Sequence, residues 1–184
     1  MKTVTIFGSS LPTETNIAYA EALRLGRALA ECGLAVCNGG YGGLMEATAR
    51  GAREAGGHTV GVTCALWNSR ANPWIVEEVR TASFSDRLMM LIERGDAYVA
   101  LQGGTGTLAE LALAWEMMNK VSLSRQAGGR KPLLAASPYW KPVVECLSQE
   151  AGLAGARQAP AALAMIELVD NLEQVPAVLR SRLL

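Results

Sequence analysis

The chain has 184 residues, with 17 Lys and Arg against 17 Asp and Glu, so its formal net charge is zero. It has no basic run, which removes the electrostatic basis for extended nucleic-acid or anionic-membrane binding. Half of the residues are apolar and 18% are charged, a balance that suits one α/β domain across residues 1–184 with a real core.

The first apolar stretch, Val4 to Phe7, is too short for a signal peptide or a membrane span, so a cytoplasmic location is expected. A β-rich run at Thr3–Phe7 leads into a helical pattern over Thr15–Cys32. The strand Leu34–Cys37 and the helix Leu44–Ala55 follow, then the strand Thr59–Thr63 and a brief extended piece near Val79–Ala82. Ser85–Arg94 reads as helix, Ala97–Leu101 as strand and Thr107–Lys120 as helix. Leu133–Ala136, Trp140–Gln149, Met165–Val169 and Asn171–Arg182 complete the alternation of strand and helix. Several strands are apolar without alternation, as expected when both faces are covered. The fold expected is therefore α/β: a doubly wound, Rossmann-like parallel sheet with helices on both faces.

Cap signals agree with these bounds. Gly33 closes the first helix and Gly56-Gly57 the second, while Asn171 with Gln174 three positions on forms a capping-box pattern. Trp67–Pro73 and Ser122–Lys131 read as loops, of the length often used for lids or interfaces. Leu111, Ala114, Trp115 and Met118 form an apolar helix face that serves either an oligomer surface or the sheet. Cys32, Cys37, Cys64 and Cys146 have no CxxC spacing and are expected as buried free thiols. His58 is the only histidine, expected in a surface loop, so neither a His-based metal site nor a Ser-His-Asp triad is expected. No metal and no cofactor is called for.

Four segments carry candidate chemistry. Gly8-Ser9-Ser10, after the first strand, offers hydroxyls and amides to a ribose or phosphate, or is a plain turn. Asn38-Gly39-Gly40-Tyr41-Gly42-Gly43-Leu44-Met45-Glu46 opens the second helix with four glycines, more than a turn requires, and favours close approach of backbone to a ligand. It lacks the third glycine and the downstream acid of a dinucleotide fingerprint. Gly103-Gly104-Thr105-Gly106-Thr107 joins a strand to a helix N-terminus, whose free N–H groups and positive dipole end suit a phosphate. Glu110 follows on the first helical turn. Thr107 and Glu110 also fit a capping box, which would occupy that carboxylate with backbone bonds. Arg87 opens the helix that leads to this strand, either as a solvated residue or as a clamp for phosphate or carboxylate.

Asn38–Met45 resembles the GGGxxGLM-type motif of the LOG ("Lonely Guy") family, and Leu101–Glu110 resembles its PGGxGTxxE motif. Arg87 falls where that family has the Arg of an Arg-Lys pair, and the resemblance runs from about Val4 to Ala136. It implies hydrolysis of the N-glycosidic bond of a nucleoside 5′-monophosphate, of cytokinin riboside phosphate or AMP type. The products would be a free base and ribose 5-phosphate. It implies Arg87 and Glu110 as the catalytic pair and Gly103, Gly104, Thr105, Gly106 and Thr107 as the phosphate cradle. Gly8, Ser9, Ser10, Gly39, Gly40, Gly42 and Met45 are further candidate ligand contacts. A homo-oligomer, dimer or tetramer, with sites near the subunit contact is implied as well.

Three features depart from the motifs: Gln102 replaces Pro, Leu88 replaces Lys, and Asn38 and Glu46 replace Gly. These look more like a branch whose relatives include molybdenum-cofactor carriers, so the alternative is a non-catalytic carrier or sensor of a phosphorylated pterin or nucleotide. Many relatives once carried a lysine decarboxylase label, which does not suit this chain. Pyridoxal chemistry needs a Schiff-base lysine, and Lys2, Lys120, Lys131 and Lys141 lie outside the glycine loops.

Overall fold

Val4, Ile6 and Phe7, Val36 and Cys37, and Tyr98 and Val99 are buried on both pleats of their strands, so the sheet needs a helical layer on each face. The computed structural model, which describes residues 1–123, 130–153 and 164–184, supplies both layers. Its strands are β1 Thr3–Phe7, β2 Ala35–Asn38, β3 Thr59–Cys64, β4 Glu77–Thr81, β5 Ala97–Ala100, β6 Leu133–Ala136 and β7 Ile166–Val169. The helices are α1 Ile17–Glu31, α2 Leu44–Glu54, α3 Phe84–Arg94, α4 Thr105–Leu123, α5 Ser137–Leu153 and α6 Val175–Leu183. All strand pairings are parallel, in the order β4-β3-β2-β1-β5-β6-β7. One core lies under α1, α2 and α6, the other under α3, α4 and α5. Among the described residues no helix is long and apolar enough to cross a membrane.

The winding places the site. From β1 the chain steps outward to β4, then returns through α3 to β5 on the other side of β1. The loops after β1 and β5 therefore leave in opposite directions and open a crevice at the carboxyl ends of the strands.

Several expectations shift at this level. The helix expected from Thr107 starts at Thr105, because the Leu108 N–H already donates to the Gly104 carbonyl (3.0 Å). Thr107 is thus inside α4 rather than its cap, and Glu110 lies on the second turn. α3 is capped by Ser83, whose Oγ accepts from the Asp86 N–H (3.1 Å), and begins at Phe84, one residue ahead of the expected start. Asn171 does cap, its Oδ1 accepting from the Glu173 N–H (2.8 Å), but what it opens is a 3-10 turn, Leu172–Gln174, ahead of α6. Leu111, Ala114 and Met118 are buried in the core of this same chain, so that face meets the sheet. His58 lies in the loop before β3 as expected, but it is half-buried, with Nε2 3.2 Å from Glu77 Oε2. Cys37 and Cys64 are buried, and burial pushes the Cys37 thiol up to about 12. Cys146 is exposed on α5 and Cys32 only partly covered, against the expectation of four buried thiols. The Ser122–Lys131 loop falls largely on residues 124–129, outside the described residues.

α1 and α2 touch backbone to backbone. A Cβ at Gly51 would lie 1.9 Å from the Leu23 carbonyl oxygen, and one at Gly26 2.1 Å from that of Thr48. Gly51→Ala forces the helices apart and should cost about 1–3 kcal/mol, the range of core overpacking. Urea unfolding checks this, and an unchanged midpoint would contradict the packing described.

Candidate functional site

Three loops meet where β1, β2 and β5 end. The Ser9 N–H donates to the Gln102 carbonyl (3.0 Å), and the Ser9 carbonyl accepts from the Leu44 N–H (2.8 Å). Ser9 Oγ is used locally, accepting from the Leu11 N–H (3.1 Å). Asn38 organises the second loop from beneath. Its Oδ1 accepts from the Gly40 N–H (2.8 Å) while Nδ2 donates to the Met45 carbonyl (2.8 Å) and Thr48 Oγ1 (3.1 Å). Gly43, at φ +69°, must be glycine twice over, since a Cβ there would also lie 2.4 Å from the Ser9 carbonyl oxygen.

The third loop is the proposed cradle. The N–H groups of Thr105, Gly106 and Thr107 precede the first intrahelical bond of α4, the situation that makes a helix start attract anions. A Cβ at Gly104 or Gly106 would meet nothing within 4 Å, so the backbone there faces open space. Gly103 faces inward instead, against the buried Thr107 Oγ1. Tyr139 Oη donates to the Gly103 carbonyl and Trp140 Nε1 to the Leu101 carbonyl (2.9 Å), bracing this loop from α5.

Beside the cradle lies a buried ion pair. Arg87 Nη1 donates to Glu110 Oε1 at 3.0 Å, and the two residues are 4% and 8% exposed. Arg87 Nε donates to the Val62 carbonyl (2.9 Å), while Nη2 lies against Gly39, where a Cβ would sit 1.9 Å away. The guanidinium carbon is 5.7 Å from the Tyr41 ring centre and 5.4 Å from that of Trp67. Among the described residues Arg87 Nη2 and Glu110 Oε2 have no hydrogen-bond partner. Desolvation raises the Glu110 carboxyl above its ordinary pKa, with the Arg87 charge and hydrogen bond opposing the shift. The Glu110 carboxylate is therefore engaged by Arg87, and the capping-box alternative is set aside.

Met45 is buried with its sulfur against Gly39, a support beneath the loop rather than an open contact. Gly8 packs between Leu44 and Leu101, and Ser10 backs onto Gly43. A separate cavity of about 360 Å³ with a mixed lining lies on the α1 side, walled by Leu25, Leu44 and Leu101 together with Glu21, Arg24 and Glu173 among others. None of Arg87, Glu110 or Gly103–Thr107 lines it; α3 and α4, which carry Arg87 and Glu110, cover the other core.

A model of the SLOG cluster4 family matches residues 1–146, which include every residue of this site. The chain belongs to the SLOG cluster4 family. A Mycobacterium tuberculosis protein named cytokinin riboside 5′-monophosphate phosphoribohydrolase is 34% identical over 116 residues, or 61% of this chain and 62% of its own length. The chain thus matches less than two thirds of that relative. One of the same name from Rhodococcoides fascians is 28% identical over 186 residues, covering 98% of this chain and 90% of its own. The solved molybdenum cofactor binding protein of Rippkaea orientalis shares the fold, with a TM-score of 0.71 at 23% identity, covering 100% of this chain and 98% of that one. In this SLOG cluster4 chain, Arg87, Glu110, the cradle and the loops after β1 and β2 all gather at one sheet edge.

Sequence reasoning missed the residues that support them. Tyr41 Oη accepts from the Cys64 N–H (2.9 Å), and Asn72 Nδ2 donates to the carbonyls of Gly40 (3.1 Å) and Tyr41 (2.8 Å). Asn72 and Trp67 belong to the Trp67–Pro73 stretch, whose length was the one available signal. Arg87→Met should destabilise the chain by about 3–5 kcal/mol at neutral pH, because Glu110 keeps a buried charge without its partner. A carboxyl whose folded pKa lies above its unfolded value adds stability below that unfolded value and loses it as pH rises. The deficit should accordingly shrink in mildly acidic buffer, and denaturant midpoints at the two pH values test this.

Proposed function

We propose that this chain is a nucleoside 5′-monophosphate phosphoribohydrolase, cutting the N-glycosidic bond to give a free base and ribose 5-phosphate. The observation that carries the reading is the buried Arg87–Glu110 pair beside an open helix start able to hold a phosphate. The activity named for the relatives from Mycobacterium tuberculosis and Rhodococcoides fascians supports it. The amides of Thr105, Gly106 and Thr107 bind the 5′-phosphate, away from the bond that breaks, with Gly104 and Gly106 leaving the approach open while Gly103 packs inward beneath them. As the C1′–N bond lengthens, positive charge grows on the ribose, and the Glu110 carboxylate stabilises it. A water oxygen attacks C1′, its proton passing toward Glu110 while the base departs with the bonding pair. Arg87 holds Glu110 in place and leaves Nη2 available to the phosphate.

The same reading takes residues 1–184 as one nucleotide-binding domain acting in the cytoplasm without metal or cofactor. It also makes the chain a homo-oligomer, dimer or tetramer, since Phe84, Met89 and Leu108 expose apolar surface on the helices that carry the pair. The second reading is a carrier of a phosphorylated pterin or nucleotide, favoured by Leu88 at the position of the motif's Lys and by the shared fold with the Rippkaea orientalis protein.

A panel of nucleoside 5′-monophosphates separates the two readings. Base release that requires the 5′-phosphate supports the hydrolase, whereas ligand binding with no release from any nucleotide supports the carrier. Glu110→Gln should lower kcat by about a hundredfold to a thousandfold while leaving nucleotide affinity largely intact. Normal turnover in that variant would remove Glu110 from the mechanism. Because the carboxyl pKa is raised and turnover needs the carboxylate, kcat should fall away on acidification at a higher pH than an ordinary glutamate would give. A kcat–pH profile whose acid limb sits at the usual carboxylate value would contradict this.

A further inference from the structure

Val62 and Glu110 fix two edges of the Arg87 guanidinium by hydrogen bonds, and two aromatic rings, Tyr41 and Trp67, lie together to one side of its central carbon. Tyr41 is itself tied down, by the Cys64 N–H at its hydroxyl and by Asn72 at its carbonyl. Trp67 is held differently. Its ring meets Tyr41 edge-on at 5.6 Å and Phe84 at 5.8 Å, and 40% of the residue remains exposed. An indole that bulky, kept partly in water on a loop, and set over a buried cation calls for an explanation beyond covering apolar surface. Cations are drawn to the face of an aromatic ring, most strongly to indole and most strongly where water is excluded.

We propose that Trp67 is a positioning residue of this site: its indole holds the Arg87 guanidinium in the plane from which Nη1 meets Glu110 and Nη2 stays open to an anion. Trp67 touches no reacting atom in this arrangement. It acts through Arg87 by limiting the tilt of the guanidinium and keeping water from one face of the pair, where the ionic hydrogen bond is strongest. Misplacing a catalytic group by an ångström costs rate rather than binding. The kinetic part of this inference rests on the hydrolase reading, while the clamp itself does not.

Three variants separate a clamp from a space-filler: Trp67→Phe keeps an aromatic face, Trp67→Leu keeps apolar bulk, and Trp67→Ala keeps neither. On a nucleoside 5′-monophosphate that the wild type cleaves, Leu and Ala should each lower kcat about tenfold with KM within about twofold. Phe should restore kcat to within about threefold of wild type. If Leu performs as well as Phe, or if KM rises tenfold at unchanged kcat, the positioning role is overturned. The second outcome would make Trp67 a wall of the substrate subsite. A readout without turnover is the urea midpoint of Trp67→Leu, Arg87→Met and the double variant. The clamp requires the Leu substitution to cost less once Arg87 is gone. Strictly additive shifts overturn it. If the wild type cleaves no nucleotide, the hydrolase reading fails by itself and the midpoints still decide the clamp.

Discussion

Taking Arg87 and Glu110 out of water costs several kcal/mol for each charge, and their mutual attraction offsets this only where geometry and further hydrogen bonds are good. Much of the sheet edge follows from that requirement. Val62, in β3 two residues before its end, turns its carbonyl to Arg87 Nε, so β3 must reach as far as the site. Gly39 has to lack a side chain for Nη2 to fit. Asn38 has to bond the Gly40 amide and the Met45 carbonyl to hold that glycine in place. The four-glycine loop is therefore explained as much by a protein cation as by a ligand.

The winding of the sheet explains why the pair lies beside the cradle. β1 is flanked by β2 and β5, and its loop turns under both, bonded through Ser9 to Gln102 on one side and to Leu44 on the other. α3 returns across the sheet from the β4 edge and delivers Arg87 from its first turn, while α4 delivers Glu110 from its second. Two residues 23 positions apart thus meet only because one helix points into the edge that the next helix leaves.

How much of this was legible from the sequence depended on whether the signal was local. β1 and β6 were legible to the residue, β6 as an unalternating apolar run and β1 as a β-branched run, Thr3–Ile6, that closes at Phe7 before Gly8. The start of α4 was misplaced by two residues because Thr107 and Glu110 imitate a cap, and only the tertiary partner Arg87 shows where the carboxylate goes. The candidate residues could be named from motif and order. Their supports could not: Tyr41, Trp67 and Asn72 lie in segments without periodicity, and their roles come from bonds to residues distant in the chain. Cys146 illustrates the opposite error, a residue type usually buried that the outer face of α5 leaves exposed.

The departures from the LOG motifs differ in physical weight. Gln102 stands where the motif has proline, yet what the site takes from this residue is its carbonyl, which accepts from Ser9 and which proline would also provide. The backbone of the cradle is therefore indifferent to the exchange. Asn38 is a gain, since its amide makes three bonds that a glycine cannot make. Leu88 is the change with chemical consequence, because it puts an apolar side chain where the motif has a second cation and leaves Arg87 as the cation paired with Glu110. A site with one fewer cation holds a dianionic phosphate less tightly and depends more on backbone amides. Under the hydrolase reading such a site gives up ground-state affinity, and uniform binding of that kind contributes to KM rather than to kcat.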